Sequence, residues 1–241
     1  MKAVYRAIQD AKSAVRFFRA DYQNNGNTYG IDTSRIVLSG QGSGGWVALG
    51  YATVDKLAEI QLPKFLDLTD PLNPVALLDT AVLGDWDGYG GSSTMNMESN
   101  VGYSNDVHMV LSMGGGIGDL SWLEAGDVPM CAVHCPTDAV AIYTTGDVSV
   151  PLIGVVTTDI SGSYDVMNTA NTLGNNDILI NASYNDPYTT AAQNASQNAV
   201  GMVDLGGTTV GPAVDNIFPY ITGNPYEGSP WDFWDSTTVV D

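Results

Sequence analysis

Residues 35–49, Arg-Ile-Val-Leu-Ser-Gly-Gln-Gly-Ser-Gly-Gly-Trp-Val-Ala-Leu, constrain the fold more than any other stretch. Ile36-Val37-Leu38 is a short apolar run of the kind that fills a buried parallel strand. Four glycines follow between Gly40 and Gly45. The stretch from Trp46 to Leu57 then reads as a helix, with Val47, Ala48, Tyr51 and Val54 on one side. A strand that passes through glycines straight into a helix is the start of a βα unit, and such units build parallel sheets with both faces covered.

The rest of the chain agrees with that reading. Val4, Ile8, Ala11, Val15 and Phe18 fall at helical spacing, with Arg6, Gln9, Arg16 and Arg19 as the polar positions between them, and Asn24-Asn25-Gly26-Asn27 ends the helix. Val107 to Ser112 and Met130 to His134 read as two more buried strands, with a short helix around Asp119 to Glu124 between them. From Gln61 to Tyr103 prolines and glycines predict irregular structure, with a short strand at Ala81-Val82-Leu83. Tyr164, Met167, Ala170 and Leu173 repeat helically before Gly174, and Pro187 to Val200 reads as a helix capped by Asp186. Asn216 to Ile221 reads as a strand or buried loop, and Trp231, Phe233 and Trp234 as a clamp on the domain surface. One domain over 1–241 is expected, with a loop-rich part over 151–241.

Charge limits the partners. Against 27 acidic residues stand eight basic ones, six of them before Gln41, and no Lys or Arg follows Lys64. A net charge of −19 repels nucleic acid and anionic lipid, so neither is an expected partner. No apolar run approaches the ~20 residues a membrane span needs, and Met1 to Tyr22 carries charges where a signal peptide would be apolar. Scarce lysine with abundant Asp, Asn, Thr and Gly suits a secreted protein in a salty medium, where counterions screen self-repulsion. Cys131 and Cys135 are too far apart in an extended chain to bridge without a bend, so two buried free thiols are expected.

Three stretches together resemble the α/β-hydrolase family, in its carboxylesterase and lipase-like branch. Ala11 to Phe18 followed by Tyr29 to Val37 is similar to that branch's helix and the strand leading to the nucleophile. Gly40-Gln-Gly-Ser-Gly-Gly45 is similar to its G-x-S-x-G-G elbow, a sharp turn that lifts a serine above the sheet. Pro129-Met-Cys-Ala-Val-His-Cys-Pro-Thr-Asp138, with Tyr143 after it, is similar to the strand that ends in the family's triad acid. The resemblance covers roughly 3–150. It implies an α/β-hydrolase-like fold, a mostly parallel sheet flanked by helices, and ester or lipid-like small-molecule substrates.

The same resemblance implies a site with its parts missing. Acyl transfer needs a nucleophile, a base, a carboxylate to orient the base, and donors for the oxyanion. Asp138 stands at the acid position, but Gly42, a vestigial nucleophile position, has no side chain to acylate. The family's base lies downstream of the acid, whereas both histidines here, His108 and His134, precede Asp138. Ser43, one residue past the apex, is expected to cap the helix, and His108 to be a core histidine. In this family the residue at His134's place supports the loop. A makeshift Ser43–His134–Asp138 site remains the active-hydrolase alternative. The chain also starts in the helix that follows the family's early strands. A sheet lacking those strands exposes an edge that a second copy or a partner chain would cover. A degenerate esterase homologue used in binding or in an assembly is therefore the first reading.

Two further motifs compete. Gly40-x-Gly42-x-x-Gly45 matches the dinucleotide fingerprint between a strand and a helix, with Glu59 or Asp67 as candidates for its acidic partner. Asp85-Trp-Asp87-Gly88 places two carboxylates one residue apart before a glycine, a fragment of a Ca²⁺ loop, although an ordinary turn explains it as well. No cofactor is otherwise expected.

Overall fold

A computed structural model of the protein describes residues 1–138, 140–150 and 154–221. The elements run α1 (Lys2–Asn24), β1 (Val37–Gln41), α2 (Ser43–Thr53), α3 (Leu57–Ile60), β2 (Leu66–Asp67), β3 (Val75–Ala76), α4 (Thr80–Leu83), β4 (Met109–Met113) and β5 (Gly116–Ile117). They continue with β6 (Met130–His134), β7 (Thr145–Val150), β8 (Gly154–Gly162), α5 (Ser163–Thr172), α6 (Asp177–Ile180), α7 (Pro187–Ala199) and β9 (Ile217–Pro219). The aromatic residues Trp231, Phe233 and Trp234 lie outside the described residues.

Four strands form the parallel sheet, in the order β1-β4-β6-β9. Helix α2 packs on β1, β4 and α1, and α5 packs on β6. The fold is therefore of the α/β class, as the βα pattern requires. Because side chains alternate along a strand, Val110, Ser112, Met130, Ala132, His134 and Ile217 share the buried face. Met109, Leu111, Cys131, Val133 and Phe218 point the other way and are half-covered. No strand pairs with the outer edge of β1 among the described residues. A second, antiparallel sheet in the order β5-β8-β7 stands beside the first; its long hairpin, β7–β8, was not expected from the sequence. No helix among the described residues is long and apolar enough to cross a membrane.

Several expectations are corrected. Ala81-Val82-Leu83 is helical, because the Asp79 carboxylate accepts from Ala81 N–H and starts a turn there. The polar positions of α1 do not all face water: Gln9, Lys12 and Arg16 are buried, Arg16 at 1% exposure. The loop from Gly84 to Asn105 lies over α1 and supplies acceptors. Arg16 donates to the carbonyls of Asp87 (2.7 Å) and Ser99 (3.1 Å), and Gln9 donates to those of Leu83 and Asp85. His108 is exposed, not a core residue, and its Nδ1 accepts from Ile36 N–H at 3.0 Å across the start of the sheet. Cys131 and Cys135 are free, but only Cys135 is buried; Cys131 lies on the half-covered face of β6.

Candidate functional site at the glycine elbow

At the carboxyl end of β1 the chain turns sharply at Gly42, whose φ of 53° and ψ of −117° lie in the left-handed half of conformational space. Its N–H donates to Met113 O at 2.8 Å, which extends the β1–β4 ladder into the turn. Its carbonyl then accepts from Gly45 N–H (2.9 Å) and Trp46 N–H (3.3 Å), which starts α2. The neighbouring glycines answer a different need. A Cβ on Gly40 would run into the Gly44 carbonyl, and one on Gly45 would lie 2.9 Å from Ser112 Oγ and 3.1 Å from Gly115 backbone atoms. Helix α2 is thus pressed directly onto the end of β4. At Gly42 the opposite holds: a Cβ there would meet no atom within 4 Å. The apex has room for a side chain and carries none.

Ser43 is the first residue of α2 and is exposed. The cap position belongs to Gly42, and no side chain caps this helix, so the expected capping by Ser43 does not occur. The hydroxyl is one place inside the helix, past the position from which it could reach the free N–H groups.

His134 ends β6, and β4 lies between it and β1. At the usual strand spacing the two main chains are ~10 Å apart. The imidazole is completely buried, edge-on to the Tyr143 ring at 5.4 Å between centroids. Nε2 lies 3.1 Å from Ala141 O and 3.6 Å from Asp138 Oδ2. The carbonyl can only accept, so Nε2 carries the proton. Nδ1 is buried and has no hydrogen-bond partner. Burial drives the pKa of this ring down to about 4, with the Ala141 carbonyl opposing that shift. Asp138 is itself buried, and its Oδ1 accepts from the N–H groups of Val140 (2.8 Å) and Ala141 (2.9 Å). The structure thus brings His134 and Asp138 together inside the core, and places Ser43 on the surface at the end of a strand two positions away.

In the Asp85–Asp87 turn the Asp87 carboxylate faces α1, whereas that of Asp85 folds back on its own turn. Asp87 pairs with Lys12 Nζ at 2.9 Å and accepts from Asn105 Nδ2 at 3.0 Å. Asp85 Oδ1 accepts from the N–H groups of Asp87 and Tyr89. Lys12 supplies the counter-charge that Ca²⁺ would bring, so the donor set does not fit that ion. Among the described residues no group of three or more His, Cys, Asp or Glu side chains is gathered to hold a metal. For the dinucleotide motif, Glu59 Oε2 accepts from Asp55 N–H and Lys56 N–H and so closes the start of α3. Asp67 Oδ1 accepts from Thr69 N–H in a surface turn. Neither carboxylate lies at the carboxyl end of β4, the strand beside β1.

Two hydroxyls near the elbow were not expected from the sequence. Buried Ser163 donates to Gly115 O at 2.8 Å and so ties α5 to the glycine strip at the end of β4, while buried Ser112 of β4 donates to Gly45 O of α2 at 3.4 Å. The triplet Gly114-Gly115-Gly116 was the only sign of this close approach.

Among solved structures, the chain is similar to a bifunctional GH43-CE protein of Bacteroides eggerthii, at 18% identity and a TM-score of 0.40, over 70% of this chain and 20% of that one. It is also similar to a truncated form of a carbohydrate esterase from gut microbiota, at 20% identity and a TM-score of 0.33, over 56% of this chain and 51% of that one. The match therefore spans about a fifth of the first protein's length and about half of the second's. No protein-family model matches the chain, and no curated protein matches it.

Proposed function

We propose that the chain is a degenerate carboxylesterase-like homologue of the α/β-hydrolases, without ordinary serine-hydrolase activity, that acts in binding or as part of an assembly. The observation that carries this reading is Gly42. It stands at a left-handed apex between a parallel strand and a helix, with open space where a nucleophile's side chain would stand. The remaining parts support the same reading. His134 is fully buried and neutral at ordinary pH, and cannot meet a substrate's leaving group. Asp138 is engaged by backbone N–H groups and by His134 inside the core. Ser43 has no base beside it among the described residues.

The assembly half of the reading rests on β1, whose Val37 and Ser39 are exposed on an edge that carries no charge, proline or bulge. Such an edge accepts a strand from a second copy or a partner chain. The acidic surface suits an extracellular, saline medium in which the repulsion between copies would be screened.

The decisive experiment is hydrolysis of p-nitrophenyl acetate and butyrate by the protein and by its Ser43→Ala and Asp138→Ala variants. We expect no turnover above buffer for any of the three. Turnover in the unmodified protein that either substitution abolishes would overturn the reading in favour of an active, non-standard hydrolase. For the assembly half, sedimentation velocity in 0.1 M and 1 M salt (roughly 10 and 3 Å screening lengths) is expected to show dimer growing with salt. A monomer at both would argue against it.

A further inference from the structure

The half-covered face of the parallel sheet bears a second candidate site, a cavity partly open to solvent and away from the elbow. Met109, Leu111 and Val133 of β4 and β6 form its floor, and Leu179 of α6, Ala192 of α7 and Phe218 of β9 also line it. The cavity is about 630 Å³, inside the range of roughly 300–1,000 Å³ for small-molecule sites with apolar walls and few polar groups. Among the described residues its polar lining consists of Ser183, Tyr184, Thr189, Gln193 and Asn216, the Cys131 thiol, and Asp215, an exposed residue that is its one formal charge. Among the described residues no Lys, Arg or His lines it, and the chain has no Lys or Arg after Lys64. A carboxylate or phosphate entering this space would lose its hydration, find no cation, and meet Asp215.

We propose that this cavity binds a neutral, largely apolar small molecule, with an aromatic ring or acyl chain on the Met109–Leu111–Val133 floor. A hydroxyl or carbonyl of the ligand would face Thr189 or Gln193. The proposal does not depend on the hydrolase reading, because these residues lie along the strands on the face opposite α2, whereas Gly42 and Asp138 stand at the strands' carboxyl ends.

The test uses the full chain and two fluorescent probes of similar size, neutral N-phenyl-1-naphthylamine and anionic 1-anilinonaphthalene-8-sulfonate. The neutral probe is expected to bind saturably at one site per chain, with the anionic probe weaker by at least about tenfold. Ala192→Trp, which fills the cavity, is expected to weaken the neutral probe by more than about tenfold. Ala192→Leu is expected to have a smaller effect in the same direction, and far-UV circular dichroism checks that both variants fold. Asp215→Asn removes the charge without changing shape, and is expected to leave the neutral probe unaffected while strengthening the anionic one. Non-saturable binding, equal affinity for the two probes, or binding indifferent to both Ala192 variants would overturn the proposal. Two other results would overturn it in favour of a different occupant. Probe binding that competes with a dimer in sedimentation would identify a second copy, and binding that appears only after removal of residues 222–241 would identify the chain's own last segment.

Discussion

Gly40 and Gly44 approach so closely that a Cβ on the first would run into the carbonyl oxygen of the second. Strand β1 and the first turn of α2 therefore meet backbone to backbone, and the elbow's shape depends on a side chain being absent at Gly40. At Gly44 the reverse is true, since a Cβ there meets nothing within 4 Å.

Opposite outcomes follow for two identical substitutions. Gly40→Ala is expected to destabilise the fold by more than ~3 kcal/mol, because the obstacle is backbone that cannot rotate away. Gly44→Ala is expected to be neutral or stabilising by up to ~1 kcal/mol, through helix propensity. Urea unfolding of the two variants measures both, and equal effects would contradict the close approach.

At the apex, Gly42→Ser is expected to fold. The hydroxymethyl group has space, but an L side chain at a φ of 53° costs about 1–2 kcal/mol. A modest fall in Tm with an unchanged circular dichroism spectrum is the expected result. The variant should still fail to hydrolyse p-nitrophenyl esters, because no accessible base stands beside the new serine. Turnover at that position would show that the serine alone had been lost.

The Arg16 guanidinium is held by the carbonyls of Asp87 and Ser99 and stacks over the Tyr89 ring at 4.7 Å. Arg16→Met keeps most of the volume but leaves buried carbonyls without donors. It is expected to cost about 3 kcal/mol or more and to open the 84–105 loop. Limited proteolysis should then cut within that loop before the rest of the chain. Arg6→Met is the control: its Nη2 donates to Met95 O at an exposed site, so its loss should change little.

The pH dependence has two opposing parts. Burial lowers His134 to about 4 in the folded chain, below the ordinary histidine value of ~6.5. Between those values the unfolded chain holds more protons, so stability rises with pH across that window and falls on acidification. For a completely buried ring the effect is on the order of 3 kcal/mol. Asp127 acts the other way. Burial raises its carboxyl to about 6, so between its unfolded value and about 6 the folded chain holds more protons, and stability falls as pH rises. Urea midpoints at pH 4 to 7 should therefore steepen in Asp127→Asn and flatten in His134→Phe. The same pH profile in His134→Phe as in the unmodified chain would contradict the buried neutral ring.

Much of the framework was legible along the chain. Alternation of apolar runs and helical periods marked β1, β4, β6, α1, α2, α5 and α7, because those patterns record which side of an element meets the core. Asp186 and Pro187 marked the start of α7 by chemistry that is local to the turn, and Asp186 does cap Tyr188 and Thr189 N–H. Where partners come from far along the chain, the reading failed. Arg16 read as a polar outer position because its acceptors lie some 70 to 80 residues away. His108 read as buried because its strand is apolar, although it sits where the strand emerges from the sheet. Val148 and its neighbours carry too short a pattern to mark a hairpin alone.

For the candidate site the division is the same. The sequence by itself determined that position 42 has no side chain, that both histidines precede Asp138, and that no cation follows Lys64, since these are matters of composition and order. Only the tertiary structure decided that the apex keeps its left-handed turn and open space, and that His134 is sealed in the core. It alone decided that Asp87 faces Lys12 and that the far side of the sheet holds a cavity with no cation among its described lining residues. Burial and pairing arise when distant segments displace water from one another, and no local pattern of residues records which segments will meet.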